Sequence, residues 1–261
     1  MAVTAPDTAH TAPVIPLSEG SHRSLASMVV LIPWDPDSQQ HIERLKQQRI
    51  ACGWKEEAVE GWREPQRGGK IGLHWIALTP THSDASSRLE QHVTAYPNES
   101  IPLRDTCKQV FSRPHAPDPQ ASSFLPIGHI SLDVSVPHPE LQTSASDGVY
   151  AIMNFYVSRA LHSGGIGAAA LGACERMAAA DFGAKAMTLN TVSNKECTPD
   201  NPRRIAMGKT DIPNPTVQDW YARRGYKVYQ SKADAWFETD PTGKRWGVTC
   251  VFMRKELVSV S

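Results

Sequence analysis

The chain has 261 residues, and its 27 Lys and Arg balance 27 Asp and Glu, so the formal charge is zero. That balance excludes the general basic excess of a nucleic-acid binder and leaves room only for a local basic patch. Five scattered cysteines without a C-x-x-C pair argue against a disulfide framework or a zinc site and fit a reducing, cytoplasmic setting. No apolar run reaches membrane-spanning length, and the first residues lack the layout of a secretory signal.

Residues 1–24 are expected to be a flexible tail, and 25–258 a single α/β (α+β) domain. An apolar strand at 27–34 leads into a helix with helical spacing at Ile42, Leu45, Ile50 and Cys52. A second, shorter helix is stopped by Pro65 and the Gly68–Gly69 pair, and 70–80 is the next strand. Residues 81–123 are polar and too long for an ordinary loop, so they read as an insertion with one short helix near 84–95. Strands follow at 124–136 and 148–158, the second apolar enough to be buried on both faces. A glycine-rich segment opens a helix to about Ala180, and 184–192 is a strand. A second polar insertion at 194–213 precedes a helix with Asn214 as N-cap, Pro215 in its first position and Gly225 closing it. Two closing strands, 226–230 and 246–257, flank a loop at 231–245.

The segment "LHSGGIGAAALG" (161–172) lies directly after a buried strand and directly before a helix. There the free N–H groups and the macrodipole of a helix N-terminus favour an anion. Gly164, Gly165 and Gly167 remove side chains that would hold a phosphate away, while Ala168 and the alanines after it let the helix lie close to the sheet. Tight helix–strand packing alone would explain the alanines but not three clustered glycines. "GIGAAA" also satisfies the G-x-G-x-x-G/A dinucleotide fingerprint, yet the next strand offers Asn190 where a carboxylate should hold the ribose.

More of the chain resembles the GNAT-type N-acetyltransferases. In that pattern an apolar strand ending in Val157 leads through His162, Ser163, Gly164, Gly165, Ile166, Gly167 and Ala168 into a helix. Later, Asn214, Val217, Trp220, Tyr221, Gly225 and Tyr226 fall at the spacings of the family's second motif. The resemblance covers roughly 25–80 and 124–255. It implies a mixed, mostly antiparallel, twisted sheet of six to seven strands flanked by helices, with both insertions outside it. His162 departs from the family's Gln or Arg, and no Glu stands on strand 148–158 where some members carry a base.

The resemblance implies acetyl-CoA as acetyl donor and an amine as acceptor; the sequence shows no conspicuous acidic groove for a basic peptide tail, which favours a small molecule over a protein or peptide. The chain would be a monomer or homodimer with neither nucleic acid nor membrane as partner. The backbone from Ser163 to Ala168 would bind pyrophosphate, Phe155 would pair with the pantetheine arm, and the Val157 N–H would steady the thioester oxygen. Tyr221 would protonate the leaving thiolate, its alternative being a half-buried core tyrosine. Asn214 would hold the cofactor arm, cap the helix, or both. His129 and Asp133 are candidate bases, with a water relay needing neither. Arg203 and Arg204 either reach the adenosine 3′-phosphate or form a solvated surface pair. Trp54, Trp62 and Trp236 either wall an acceptor pocket or pack in the core. Two other readings stay open: an NAD(P) oxidoreductase using the same glycines, and a non-catalytic acyl-CoA binder.

Overall fold

The computed structural model describes residues 28–257 except 55, 118–122, 137 and 210, so the expected tail at 1–24 lies outside the described residues. Seven strands form one sheet: β1 (Val29–Pro33), β2 (Ile71–Leu78), β5 (Pro126–Asp133), β6 (Val149–Val157), β7 (Ala186–Val192), β9 (Arg245–Glu256) and β8 (Lys227–Thr239), in that spatial order. Only β6 and β7 run parallel; every other neighbouring pair is antiparallel. This is the mixed, mostly antiparallel sheet expected from the sequence.

Helices cover both faces. On the front, α1 (Gln39–Cys52) and α2 (Val59–Arg67) bring Ile42, Leu45 and Val59 onto Leu73 and Trp75. On the back, the small residues Ala169, Ala170 and Ala178 of α4 (Ile166–Phe182) let it pack onto Ile130, Leu132, Ile152 and Leu189. At the far side of the front face, Ala151, Cys250 and Phe252 meet Leu141. All five cysteines are free thiols. Among the described residues, no helix is long and apolar enough to cross a membrane.

Three boundaries differ from expectation. The second helix passes through Pro65 to Arg67. Its last turn is pinned by buried Gln66, which donates to Trp34 O at 3.3 Å and accepts from Leu73 N at 2.8 Å. The expected loop at 231–245 is mostly strand: β8 runs to Thr239, and its polar composition reflects an edge strand exposed over most of its length. A tight turn then forms around Asp240, whose carboxylate accepts from Thr242 N at 2.8 Å, Lys244 N at 3.0 Å and Trp246 Nε1 at 2.9 Å. Hydrogen bonds from Thr242 and Trp246 hold that carboxyl at about 2.

The third concerns the last helix, α6 (Val217–Ala222), which starts later than Asn214 and Pro215 suggested. Thr216 is its N-cap, accepting from Asp219 N at 3.1 Å, and Thr216 Oγ1 donates to Asn194 Oδ1 at 2.5 Å. Gly225 does adopt the left-handed conformation just past the helix, with φ 91°.

The first insertion is an excursion between β2 and β5, neighbouring antiparallel strands that a short hairpin turn would otherwise join. It holds the expected helix as α3 (Ala85–Ala95) and a small hairpin of β3 (Gln109–Val110) and β4 (Arg113–Pro114). The second insertion holds a single helical turn at Asn194–Cys197 and α5 (Pro202–Ala206).

Candidate active site

Strands β6 and β7 pair only at Val149–Ala186, Tyr150–Met187 and Ala151–Thr188, although β6 continues to Val157 and β7 to Val192. Beyond those pairs the two strands part. A bulge in β6 accounts for the departure: between the pairs His129–Tyr156 and Ser131–Met153, one residue of β5 faces two of β6, Asn154 and Phe155. Asn154 sits at φ 47°, and such a bulge bends and twists its strand.

The end of β6 turns its backbone into that gap. Ser158 N donates to Ile127 O at 2.8 Å, which makes Gly128 and Val157 an opposed pair that exchanges no hydrogen bonds. The N–H and C=O of Val157 therefore point away from β5, toward the side from which β7 has withdrawn. Opposed pairs of this kind approach closely, and a Cβ on Gly128 would stand 2.2 Å from Tyr156 O. Gly128 is thus a site residue the sequence reading passed over; a glycine inside an alternating strand was the available signal.

The gap opens on the back face into a cleft of about 700 Å³ lined by Phe155, Val157, His162, Ser163, Gly165, Ile166, Gly167, Ala168, Asn214 and Tyr221. Ten of the sequence-predicted cofactor positions thus converge. Ser163 (φ 67°) and Gly165 (φ 80°) both take left-handed conformations, and Gly165 caps α4 without a side chain. The first N–H groups of α4 have no acceptor within the helix, so Ile166, Gly167 and Ala168 present donors where they line the cleft. His162 does not act as a free phosphate ligand, because its Nε2 donates to Val157 O at 3.1 Å. Tyr221 is buried, edge-on to Trp220 and Tyr226, and burial pushes its phenol above the ordinary tyrosine range.

Past Trp220 and Arg224 a second groove of about 580 Å³ runs between α4 and α6. Arg176, Arg223, Arg224 and Lys255 line it against one acid, Glu175, which Lys255 holds at 2.6 Å and Tyr226 at 2.9 Å. Arg224 stacks 3.6 Å over Trp220. The excess of positive charge here was missed because these residues are scattered over α4, the turn after α6 and β9.

Other predicted residues lie elsewhere. Gly164 does not line the cleft: its missing side chain makes room for Arg88, whose Nη1 would lie 2.2 Å from an added Cβ. Asn190 does not line it either, being paired with Phe252 beyond the last β6–β7 contact and directed, like Phe252, to the front face. Asp133 stands opposite Ala151, at the closed end of the sheet. Val157 is six residues further along β6, roughly 20 Å away at strand spacing, so Asp133 cannot serve the gap. Burial raises its carboxyl to about 7, with Ser131 Oγ donating to it.

His129 is near the open end, opposite Tyr156, but on the front face and fully enclosed. Its Nδ1 donates to Gln48 Oε1 at 2.9 Å, since Gln48 Nε2 is engaged with Glu99 and Pro126 O. Burial drives its pKa well down, leaving a neutral ring whose Nε2 has no partner among the described residues.

Arg203 and Arg204 are neither phosphate ligands nor a solvated pair. Both are buried; Arg203 bonds Glu196 and Glu238, and Arg204 bonds Asp211 O. Of the three tryptophans, Trp54 and Trp236 meet edge to face at 6.1 Å across the front of the gap, whereas Trp62 packs on Arg49.

No protein-family model and no curated protein matches the sequence. Among solved structures, the chain is similar to an IAA acetyltransferase from Bacillus cereus (11% identity, TM-score 0.43, 88% of this chain and 99% of that one). It is also similar to the aminoglycoside 6′-N-acetyltransferase from Enterococcus faecium (11%, 0.45, 88% and 97%) and to the spermidine/spermine N-acetyltransferase SpeG from Vibrio cholerae (7%, 0.49, 89% and 94%).

Proposed function

We propose that the protein transfers the acetyl group of acetyl-CoA to an amine, most simply that of a small molecule, by direct attack across the gap between β6 and β7. The observation that carries this reading is the parting of two parallel strands beside an uncapped helix N-terminus, with the Val157 main chain turned into the opening. An extended pantetheine arm completes a sheet where β7 has withdrawn, and a pyrophosphate meets the first N–H groups of α4. The cationic groove beyond Trp220 suits the phosphorylated adenosine end.

The chemistry then asks little of side chains. The Val157 N–H strengthens its bond to the thioester oxygen as negative charge gathers there. Tyr221, protonated throughout the neutral range, supplies a proton to the leaving sulfur. Asn214, on the wall of the cleft, holds the cofactor arm in this reading. The amine enters from the front, beside the paired rings of Trp54 and Trp236. With His129 enclosed and Asp133 distant, its proton leaves through water. The free thiols fit a reducing, cytoplasmic setting. A dinucleotide reading is disfavoured because the sheet has only one parallel pair, not two mononucleotide halves, and Asn190 brings no carboxylate.

Thermal unfolding with CoA, acetyl-CoA or NAD(P), followed by thiol release from acetyl-CoA over a panel of amines, tests the proposal. CoA and acetyl-CoA are expected to raise the melting temperature by mass action, and at least one amine to release thiol. A shift with NAD(P) alone would overturn it; a shift with CoA but no turnover on any amine would leave an acyl-CoA binder.

A further inference from the structure

The first insertion does more than lengthen the chain between β2 and β5. One face of its helix α3 reaches the loop that joins β6 to α4 at three successive points. His92 Nδ1 lies 2.9 Å from Ser158 Oγ, Gln91 Nε2 donates to Ala160 O at 2.7 Å, and Arg88 Nη1 donates to Gly164 O at 3.0 Å. Positions 88, 91 and 92 share a helix face by their three- and four-residue spacing. His92 and Ser158 are fully buried, so this end of the contact is anchored inside the protein.

The loop held in this way is conformationally expensive. It carries Ser163 at φ 67°, a value L-residues rarely adopt, two residues before Gly165 at φ 80°. Nothing in the loop's own side chains caps α4. Gly164 completes the arrangement, since any side chain there would collide with the Arg88 guanidinium.

We infer that α3 is a clamp that fixes loop 158–164 and thereby aims the first N–H groups of α4 into the cleft. Arg88, Gln91 and His92 are positioning residues, acting on the cofactor through the loop without touching it; the part of this inference that concerns acetyl-CoA rests on the function proposed above.

The test uses Arg88→Ala and Gln91→Ala, singly and together. Both side chains reach solvent, so truncation leaves no core cavity and the fold survives. Amide hydrogen exchange across 159–168 in the free protein should quicken in the double variant while exchange elsewhere stays put. KM for acetyl-CoA should rise about tenfold with kcat within about twofold, and Arg88→Lys should recover part of the loss. Gly164→Ala should reproduce the Arg88→Ala phenotype and add nothing in the Arg88→Ala background, because the clash has gone. Unchanged loop exchange, or faster exchange with an unchanged KM, would overturn the clamp. Absence of any CoA binding by the parent protein would defeat the functional reading alone, because the exchange measurement still decides whether α3 orders the loop.

Discussion

Tyr221 combines burial with a place on the cleft wall, and its phenol is pushed toward the protonated form by its surroundings. A donor that acts as charge collects on the leaving sulfur contributes to the transition state and not to ground-state binding. Tyr221→Phe should therefore lower kcat by about 10²–10⁴ with KM for acetyl-CoA near the parent value, and a thioester with a better leaving thiol should recover part of the rate. Unchanged turnover when chemistry is rate-limiting would remove the tyrosine from the reaction. The three glycines of the loop show how far single residues can be read from sequence. Their clustering pointed to a backbone site, yet the three do not share one reason for being glycine. Gly165 needs a left-handed φ, a Cβ on Gly167 would meet Trp220 only at an ordinary contact distance of 3.4 Å, and Gly164 yields space to Arg88. The last reason was invisible, because the side chain responsible comes from a helix 76 residues earlier in the chain.

Among the elements, β6 decides the site, and its shape depends on how tightly β5 can approach it. Gly128→Ala would drive a methyl into the Tyr156 carbonyl, a backbone atom with nowhere to go. The variant should melt several degrees lower, and any folded fraction should bind CoA more weakly because the Val157 main chain is displaced. A Gly128→Ala protein with parental melting temperature and CoA affinity would show that the close pair is incidental. Element identity was legible wherever apolar periodicity was strong, as in β2, β5, β6 and α4. It failed at β8, where an edge strand has no inner face to enforce alternation, and at α6, where Asn214 and Thr216 both carry capping side chains. Tertiary contacts of Asn194 with Thr216, Gln218 and Asp219 separate those two starts. The bulge at Asn154 left no local trace either, since its cause is a register mismatch with another strand.

For the molecule as a whole, the buried carboxyl of Asp133 ties stability to pH. Burial raises its folded pKa from the usual 3.8 to about 7, so the folded state holds this proton more tightly than the unfolded chain does. Its contribution is fully present below about pH 4, declines as pH climbs toward 7 and is flat above. Asp133→Asn, which cannot ionise, should narrow the difference in melting temperature between pH 5 and pH 8; an identical difference in parent and variant would show that the carboxyl is not the source. The sheet also has two ends, and they are unlike. At one, β1 is five residues long and finishes in a proline; at the other, β8 extends for thirteen residues with most side chains in solvent. A straight strand of that length would invite any extended chain to add to it. The breaks in its register at Val228–Gln230 and Lys232–Trp236, and the charges of Lys227, Lys232 and Asp234 along it, spoil that template. This long exposed edge is thereby poorly suited to seeding aggregates at the concentrations a cell or a purification imposes.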